Sequence, residues 1–568
     1  MSWPLYCRIT SLGLVLALGT LLRFHSPLHG LGFHPDERAI VMVTERLSWQ
    51  DLNPRFFAYG SFPIYLLWAT SRLTAWVWPG LGGYDGTFTV ARVLAALIGV
   101  ATIGVSFLSA LRLTATFSLA VVAAAAVALC PFLVQNSRFY TVDGPLTLLC
   151  LLSLHFLATA PTGNLAHRLR LAGIFAGLAI ATKISGILLI PFLVLGAFRE
   201  NGRFSSPRER GPWRMAAQSL ALAVAVAVLV QPYAVLDWGT YWRHVAEQMS
   251  LVRGQWVAPY TLQYLLTTPY LYHLEQMAGF TLGPLAALVG WTAVGRSLWR
   301  ARRSPFSAET LGGAWCAIFF LALGGSAVKF PRYLLPIYPP LLVLGAHFLA
   351  EISARAKLPA WSLGVLILVA PSLPRSLALA GVYSTPHVWT SASDWILDHA
   401  GPEARIAGEH WDDKLPLSRP GRTQAVRPWQ KELIVFEPDS PEKWKQIAAT
   451  LAEADFLTLP TARGYGPITR LPDRFPWGNR YYRLLFRGEL GFRLERTFKE
   501  EPRFLGLRFP DESLDESLSV YDHPKVVIFR NAGRLAADEI FRRIEASLQS
   551  PPVSDGEREW ILSARAGD

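Results

Sequence analysis

Apolar residues fall in long runs over the first two thirds of this chain and in short runs of strand length thereafter. A helix crossing ~30 Å of hydrocarbon needs roughly 20 apolar residues at a rise of ~1.5 Å each. On that measure eleven spans are expected, over 5–23, 87–111, 115–134, 144–160, 169–182, 186–198, 215–236, 277–298, 308–327, 332–350 and 359–379. The fifth and sixth are short and separated only by Thr182 to Ser185, which reads as either one helix or a tight hairpin. The first is read as a retained helix rather than a signal peptide, since no small-residue cleavage site follows it.

The segment 58–78 is apolar enough to suggest a twelfth span, but it carries Pro63, Ser71 and Arg72 and ends on Trp76 and Trp78. That pattern fits a helix lying at the membrane interface. Basic residues then set the topology, because short loops rich in Arg and Lys stay cytoplasmic. With the N-terminus inside, Arg8, Arg112, Arg168, Arg170, Arg214, Arg296, Arg300, Arg355 and Lys357 all fall on the cytoplasmic side. The opposite face receives 24–86, 135–143, 237–276, 328–331 and everything after about 380.

From about Tyr383 charges of both signs become frequent. SDWILDHAG and PEKWKQIAATLAEA read as amphipathic helices, and ARIAGEH, ELIVFEP, ADFLTLP, FRLERTF and KVVIFRN as short strands. A helix near Ala536 to Leu548 and a polar tail close the chain. The expected organisation is a polytopic α-helical membrane domain over 1–380, its first outer loop spanning 24–86, followed by an extracytoplasmic α/β domain over 381–568.

Composition agrees with this picture: 51% hydrophobic residues against 17% charged is not a soluble balance. The net charge of +12 does not point to nucleic acid, because the basic residues punctuate apolar runs. All four cysteines, Cys7, Cys130, Cys150 and Cys316, lie in or beside apolar stretches, which leaves neither a disulfide framework nor a CxxC metal site.

Candidate chemistry gathers on the outer face. In GFHPDERAIVMVTERL, Pro35 suits a first helical position, and Asp36 and Glu37 sit at the positive end of that helix. An acidic pair there is ordinarily explained by the helix dipole alone. Three further loops on the same face change the balance, bringing Arg138 and Asp143, then Lys183, then Lys329, Arg332 and Tyr333. Cations at a bilayer surface suit a lipid phosphate, and carboxylates beside them suit deprotonation of a hydroxyl. In EHWDDKLP, the residues Glu409, His410, Asp412 and Asp413 are of the types that form a metal site, but their spacing fits a strand end and turn better. Asp522 and His523 read as part of a turn. The aromatic run 255–276 fits an interfacial belt better than a sugar-stacking platform.

Through HPDE, SRFYTVD, TKISG and KFPRYLLPIYPP, in that order over about 1–350, the chain resembles GT-C glycosyltransferases of the dolichyl-phosphate-mannose protein mannosyltransferase and aminoarabinose transferase type, glycosyltransferase family 39-like. EHWDDKLP, the stretch from Arg463 to Phe492 and VYDHPKVVIF resemble a bacterial subset. The resemblance implies a GT-C fold and transfer of a sugar from a polyprenyl-phosphate donor to a protein, lipid or glycan acceptor on the non-cytoplasmic face. It implies Asp36 as general base with Glu37 as its partner, and Lys183, Lys329, Arg332 and Tyr333 as holders of the donor phosphate. His34, Arg138 and Asp143 would shape the site. No cofactor is required by the resemblance, and a divalent cation is compatible with it. The expected setting is a bacterial plasma membrane. One departure stands out: YGSFP at Tyr59 to Pro63 occupies the place of a Lys-Pro-Pro stretch frequent in aminoarabinose transferases, which argues against lipid A modification. The rival reading, a transporter or lipid flippase, would share the spans but favours pseudo-symmetric halves and interrupted midplane helices.

Overall fold

The computed structural model describes residues 4–158, 165–200, 203–204, 206, 208–304, 307–418 and 429–564. Each expected span has a helical counterpart within them, although the last two residues of the fourth lie outside the described set. Leu5–Phe24 (α1), Gly83–Thr114, Leu165–Thr182, Arg210–Val230, Pro331–Arg355 and Ser362–Val382 are long and apolar enough to cross a membrane. Phe117–Ala128, Asp143–Ala158, Ile184–Ala197 and Ala308–Leu323 are shorter apolar helices. The expected span 277–298 is instead a π-helical turn over Met277–Thr281 and a separate helix, Pro284–Ala301. The protein is a polytopic membrane protein with a C-terminal α/β unit.

The chain divides into two units, one comprising 1–255, 267–381 and 503–507, the other 256–266, 382–502 and 508–568. In the first, α1 is followed by Pro35–Arg46 (α2), Phe62–Val77 (α3) and the long helix Gly83–Thr114 (α4). One face of α3, carrying Pro63, Ile64, Leu67, Trp68 and Ser71, is buried, whereas Leu73, Trp76 and Val77 are exposed. This is the helical periodicity of a one-sided element. Ile40 and Val41 of α2 and Leu47 just after it join Ile64, Leu67 and Trp68 of α3 and Phe88 and Ala91 of α4 in one core.

The expected span 115–134 is broken into Phe117–Ala128 (α5) and Pro131–Asn136 (α6). Pro131 has no N–H to continue α5 and suits the first turn of α6. The buried Arg23 guanidinium donates to the carbonyls of Ala128, at 3.0 Å, and Val127, at 3.5 Å, so it covers the frayed end of α5. After Asp143–Ala158 (α7) and Leu165–Thr182 (α8), the chain turns back rather than continuing as one helix. Lys183 is extended, and Gly186 lies so close to α8 that a Cβ there would meet the Ala179 carbonyl carbon at 2.6 Å. Arg296 and Arg300, read from sequence only as topology signals, are paired with Glu309 and Glu351.

The second unit is built on a five-stranded sheet of Arg405–Glu409 (β1), Trp429–Leu433 (β2), Phe456–Leu459 (β3), Phe492–Phe498 (β4) and Val526–Asn531 (β5), in the order β2-β1-β3-β5-β4. β1 pairs parallel with β2 and β3, while β5 runs antiparallel to β3 and β4. Trp444, Ile447 and Leu451 from Pro441–Glu453 and Tyr481, Tyr482 and Leu485 from Pro476–Phe486 fill the core. The ELIVFEP strand ends earlier than its apolar run suggests, at Leu433. Beyond it the Val435 and Glu437 carbonyls accept from the Lys443 ammonium, which removes them from any ladder. The expected polar tail contains a helix, Asp555–Ser563, started by a capping box of Ser554 and Glu557.

His523 is enclosed between two carboxylates, Asp522 on Nδ1 and Asp511 on Nε2 at 2.5 Å, so it does more than complete a turn. Burial alone would pull its pKa down, but Asp522 and Asp511 outweigh burial and lift it to about 10. Lys499 pairs with Asp511, Glu501 and Glu512, and the Tyr383 hydroxyl donates to Asp522 at 2.8 Å. A raised histidine pKa stabilises the folded state fully below its unfolded value of ~6.5 and ceases to do so as pH rises through about 10. With the base-catalysed rise of intrinsic exchange divided out, protection in peptides from β5 of the full chain is therefore expected to fall across that window, and His523→Gln is expected to flatten the dependence. An unchanged slope in the variant would assign the effect to other groups.

Candidate functional site

The loop after α1 carries HPDE into the first turn of α2. His34 caps this helix, its Nδ1 lying 3.3 Å from the Asp36 N–H. Asp36 and Glu37 are adjacent in sequence, but about 100° of helical rotation separates successive side chains, and they find different partners.

Asp36 Oδ2 pairs with Arg332 Nη2 at 2.7 Å. Arg332 Nη1 lies 3.0 Å from His34 Nε2, and its Nε lies 3.6 Å from Asp143 Oδ2. A neutral imidazole has one acceptor nitrogen, so His34 accepts from Arg332 or from the Asp36 amide, not both at once. Asp143, the first residue of α7, also receives the Lys183 ammonium at 2.7 Å on Oδ1. That ammonium stands 4.2 Å from the centre of the Tyr333 ring, and the Arg332 guanidinium 4.7 Å from that of Phe330. The structure thus brings His34, Asp36, Asp143, Lys183, Arg332 and Tyr333 into one cluster, drawn from four loops.

Glu37 is fully buried and held elsewhere. Arg92 of α4 clamps both its oxygens, Nε to Oε1 at 2.6 Å and Nη2 to Oε2 at 2.7 Å, and the Tyr140 amide donates to Oε1 at 3.0 Å. The same guanidinium donates to the carbonyls of Pro27, His29 and Gly30, so it pins the start of the first loop, between α1 and α2. Arg138 is likewise inward, donating to the carbonyls of Leu22 and Ser26. Lys329 is buried, with its ammonium 3.2 Å from the Ala327 carbonyl, and burial lowers its pKa. Glu37, Arg138 and Lys329 are thus each held by groups outside that set.

SRFYTVD is thereby divided residue by residue. Arg138 holds the end of α1, the Phe139 ring lies between His34 and Arg92, Tyr140 meets Glu37, and Asp143 meets the two cations.

Two residues of the site escape sequence reading. Arg92 lies inside the expected span 87–111, where an ionisable side chain in an apolar run is a signal in itself. Tyr59 is the other: burial first, and the Asp36 carboxylate second, hold its hydroxyl well above the ordinary range. Gly60 makes this placement possible. Its N–H donates to the Thr182 carbonyl at 3.0 Å, and a Cβ there would come within 2.0 Å of the Ala181 oxygen. The YGSFP departure is the point where the first loop closes on the chain beside Lys183.

In the second unit the EHWDDKLP side chains go to separate partners. Glu409 accepts from the Tyr482 hydroxyl at 2.5 Å, and burial pushes its pKa up to about 8. Asp412 takes Arg463 at 2.8 Å and Thr461 at 2.6 Å, and His410 Nδ1 lies 2.9 Å from the Leu433 carbonyl. Among the described residues no group of three or more His, Cys, Asp or Glu has an arrangement fit to hold a metal ion. The aromatic run is split: Trp256–Leu266 belongs to this unit, where Gln263 bonds Arg470 and Glu516, whereas Tyr270 and Tyr272 belong to the first unit.

Residues 74–230 match the family model described as dolichyl-phosphate-mannose-protein mannosyltransferase. That stretch contains Arg92, Arg138, Asp143 and Lys183, but neither Asp36 nor Arg332. No curated protein matches the chain. Among solved structures, the oligosaccharyltransferase of Archaeoglobus fulgidus tethered to an acceptor peptide aligns with a TM-score of 0.52 at 15% identity, covering 89% of this chain and 74% of that one. ArnT from Cupriavidus metallidurans in the apo state aligns at 0.47 and 18% identity, over 92% and 98% of the two chains. The same protein bound to undecaprenyl phosphate aligns at 0.48 and 16%, over 93% and 99%.

Proposed function

We propose that this chain, which has the GT-C fold, is an integral membrane glycosyltransferase that moves a sugar from a polyprenyl-phosphate donor to an acceptor hydroxyl on the non-cytoplasmic face. The observation that carries the reading is the Asp36–Arg332–Asp143–Lys183 cluster, two carboxylates and two cations at the junction of four loops. The match to a mannosyltransferase family model supports the donor class.

In this reading the acceptor oxygen attacks the anomeric carbon while the bond from that carbon to the phosphate oxygen breaks. The electron pair leaves on polyprenyl phosphate, and the hydroxyl proton passes to Asp36. Single displacement inverts the anomeric centre. Lys183 and Arg332 stabilise the charge that grows on the leaving phosphate. Tyr333 orients Lys183, His34 orients Arg332, and Glu37 serves with Arg92 as a positioning pair. The cytoplasmic N-terminus and the outward placement of the loops follow the distribution of basic residues, and a bacterial plasma membrane rests on the resemblance of the C-terminal stretches to a bacterial subset. The acceptor is a protein, lipid or glycan hydroxyl.

The test is reconstitution in vesicles with radiolabelled polyprenyl-phospho-sugars and membrane extract as acceptor source. Protein-dependent release of polyprenyl phosphate with matching label in an acceptor is expected. Movement of intact lipid between leaflets without bond cleavage would instead favour a flippase.

A further inference from the structure

Asp36 and Asp143 against Lys183 and Arg332 make a formally neutral cluster in which each cation already has a carboxylate within 2.7 Å. An entering phosphate therefore meets cations that are engaged. Asp36 is engaged in turn, its Oδ2 being occupied by Arg332 Nη2 at 2.7 Å. Asp143 and Asp36 differ in a way that decides which contact yields. Asp143 is 2% exposed and has both Lys183 and Arg332 beside it, whereas the Asp36 side chain is 18% exposed and, among the described residues, is ion-paired with Arg332 alone.

We propose that the donor phosphate displaces Asp36 from Arg332, so that the base is released only when the donor is in place. This rests on the glycosyltransferase reading for the role of Asp36, but the exchange itself concerns anion binding and is measurable without turnover. Arg332 keeps His34 and Asp143 beside it throughout, which limits the movement to a change of partner on Nη2. A site working this way holds its base inactive toward water or a stray hydroxyl until the phosphate arrives.

The experiment is a titration of the full-length protein in nanodiscs with a long-chain polyprenyl monophosphate, read by tryptophan fluorescence and by thermal shift. Removing the competing carboxylate in Asp36→Asn is expected to tighten binding about tenfold, with Asp36→Ser doing the same. Glu45→Gln removes the same charge from the same helix without touching Arg332, since Glu45 accepts from Thr87, and is expected to change affinity less than about twofold. Unchanged or weaker binding in both Asp36 variants overturns the exchange, as does equal tightening by Glu45→Gln. The two readings separate cleanly: tighter binding with transfer retained upholds the exchange and removes the base, whereas unchanged binding with transfer lost does the reverse.

Discussion

Asp36→Asn is expected to reduce sugar transfer by about 100- to 10,000-fold, the range typical for a removed general base, while the protein inserts and remains monodisperse. The substitution is nearly isosteric, and the asparagine oxygen still accepts from Arg332, so the framework around α2 is undisturbed. On the proposed function, what is lost is the site to which the acceptor proton goes. Because the helix cap is supplied by His34 and not by Asp36, the start of α2 is retained. Initial rates measured with saturating donor and acceptor check this, and a variant that keeps more than about a tenth of parental activity would remove Asp36 from the base role.

The second large effect falls on stability. Arg92→Ala leaves Glu37 as a fully buried carboxylate with a single backbone donor, Tyr140. It also strips the carbonyls of Pro27, His29 and Gly30 of their common donor. Breaking one side of a buried ion pair costs about 3–5 kcal/mol. A large drop in the thermal unfolding midpoint in detergent is expected, with loss of activity following from the disordered first loop. Replacing both partners together, Arg92→Met with Glu37→Gln, is expected to recover much of the midpoint, since no uncompensated charge remains. An unchanged midpoint in Arg92→Ala would show that the pair contributes little.

These two predictions mark how far the sequence could be read. Apolar run length located the helices well because crossing hydrocarbon imposes a length and a composition on each span, whatever the tertiary packing. It was weaker at breaks. The separation of α5 from α6 depends on Pro131 and on Arg23 reaching across from α1, and only the proline is a local signal. In the C-terminal unit, β1, β3, β4 and β5 were legible from β-branched and aromatic alternation, whereas the end of β2 is set by Lys443 ten residues downstream.

The four loops of the cluster were legible because charged residues between apolar runs are rare and conspicuous. Their division of labour was not. Asp36 and Glu37 are chemically alike, and only the partners waiting on each side of α2 distinguish them. Lys329 and Lys183 are alike in the same way, one turned to a carbonyl and the other to Asp143. Arg92 was read as part of a span, although a guanidinium five residues into an apolar run already demands a buried partner. Tyr59 and Gly60 stood out only as part of the YGSFP departure, since a close backbone approach to Thr182 leaves no trace in residue type beyond the glycine.

The clamp of Arg92 on Glu37 also bears on how such a protein can diversify. Frame and chemistry are carried by neighbouring residues of one helical turn, each with its own anchor on a different part of the chain. A substitution at Glu37 therefore bears on the hold that Arg92 has on the first loop, whereas one at Asp36 bears on the ion-pair cluster, although the two are consecutive letters of the sequence.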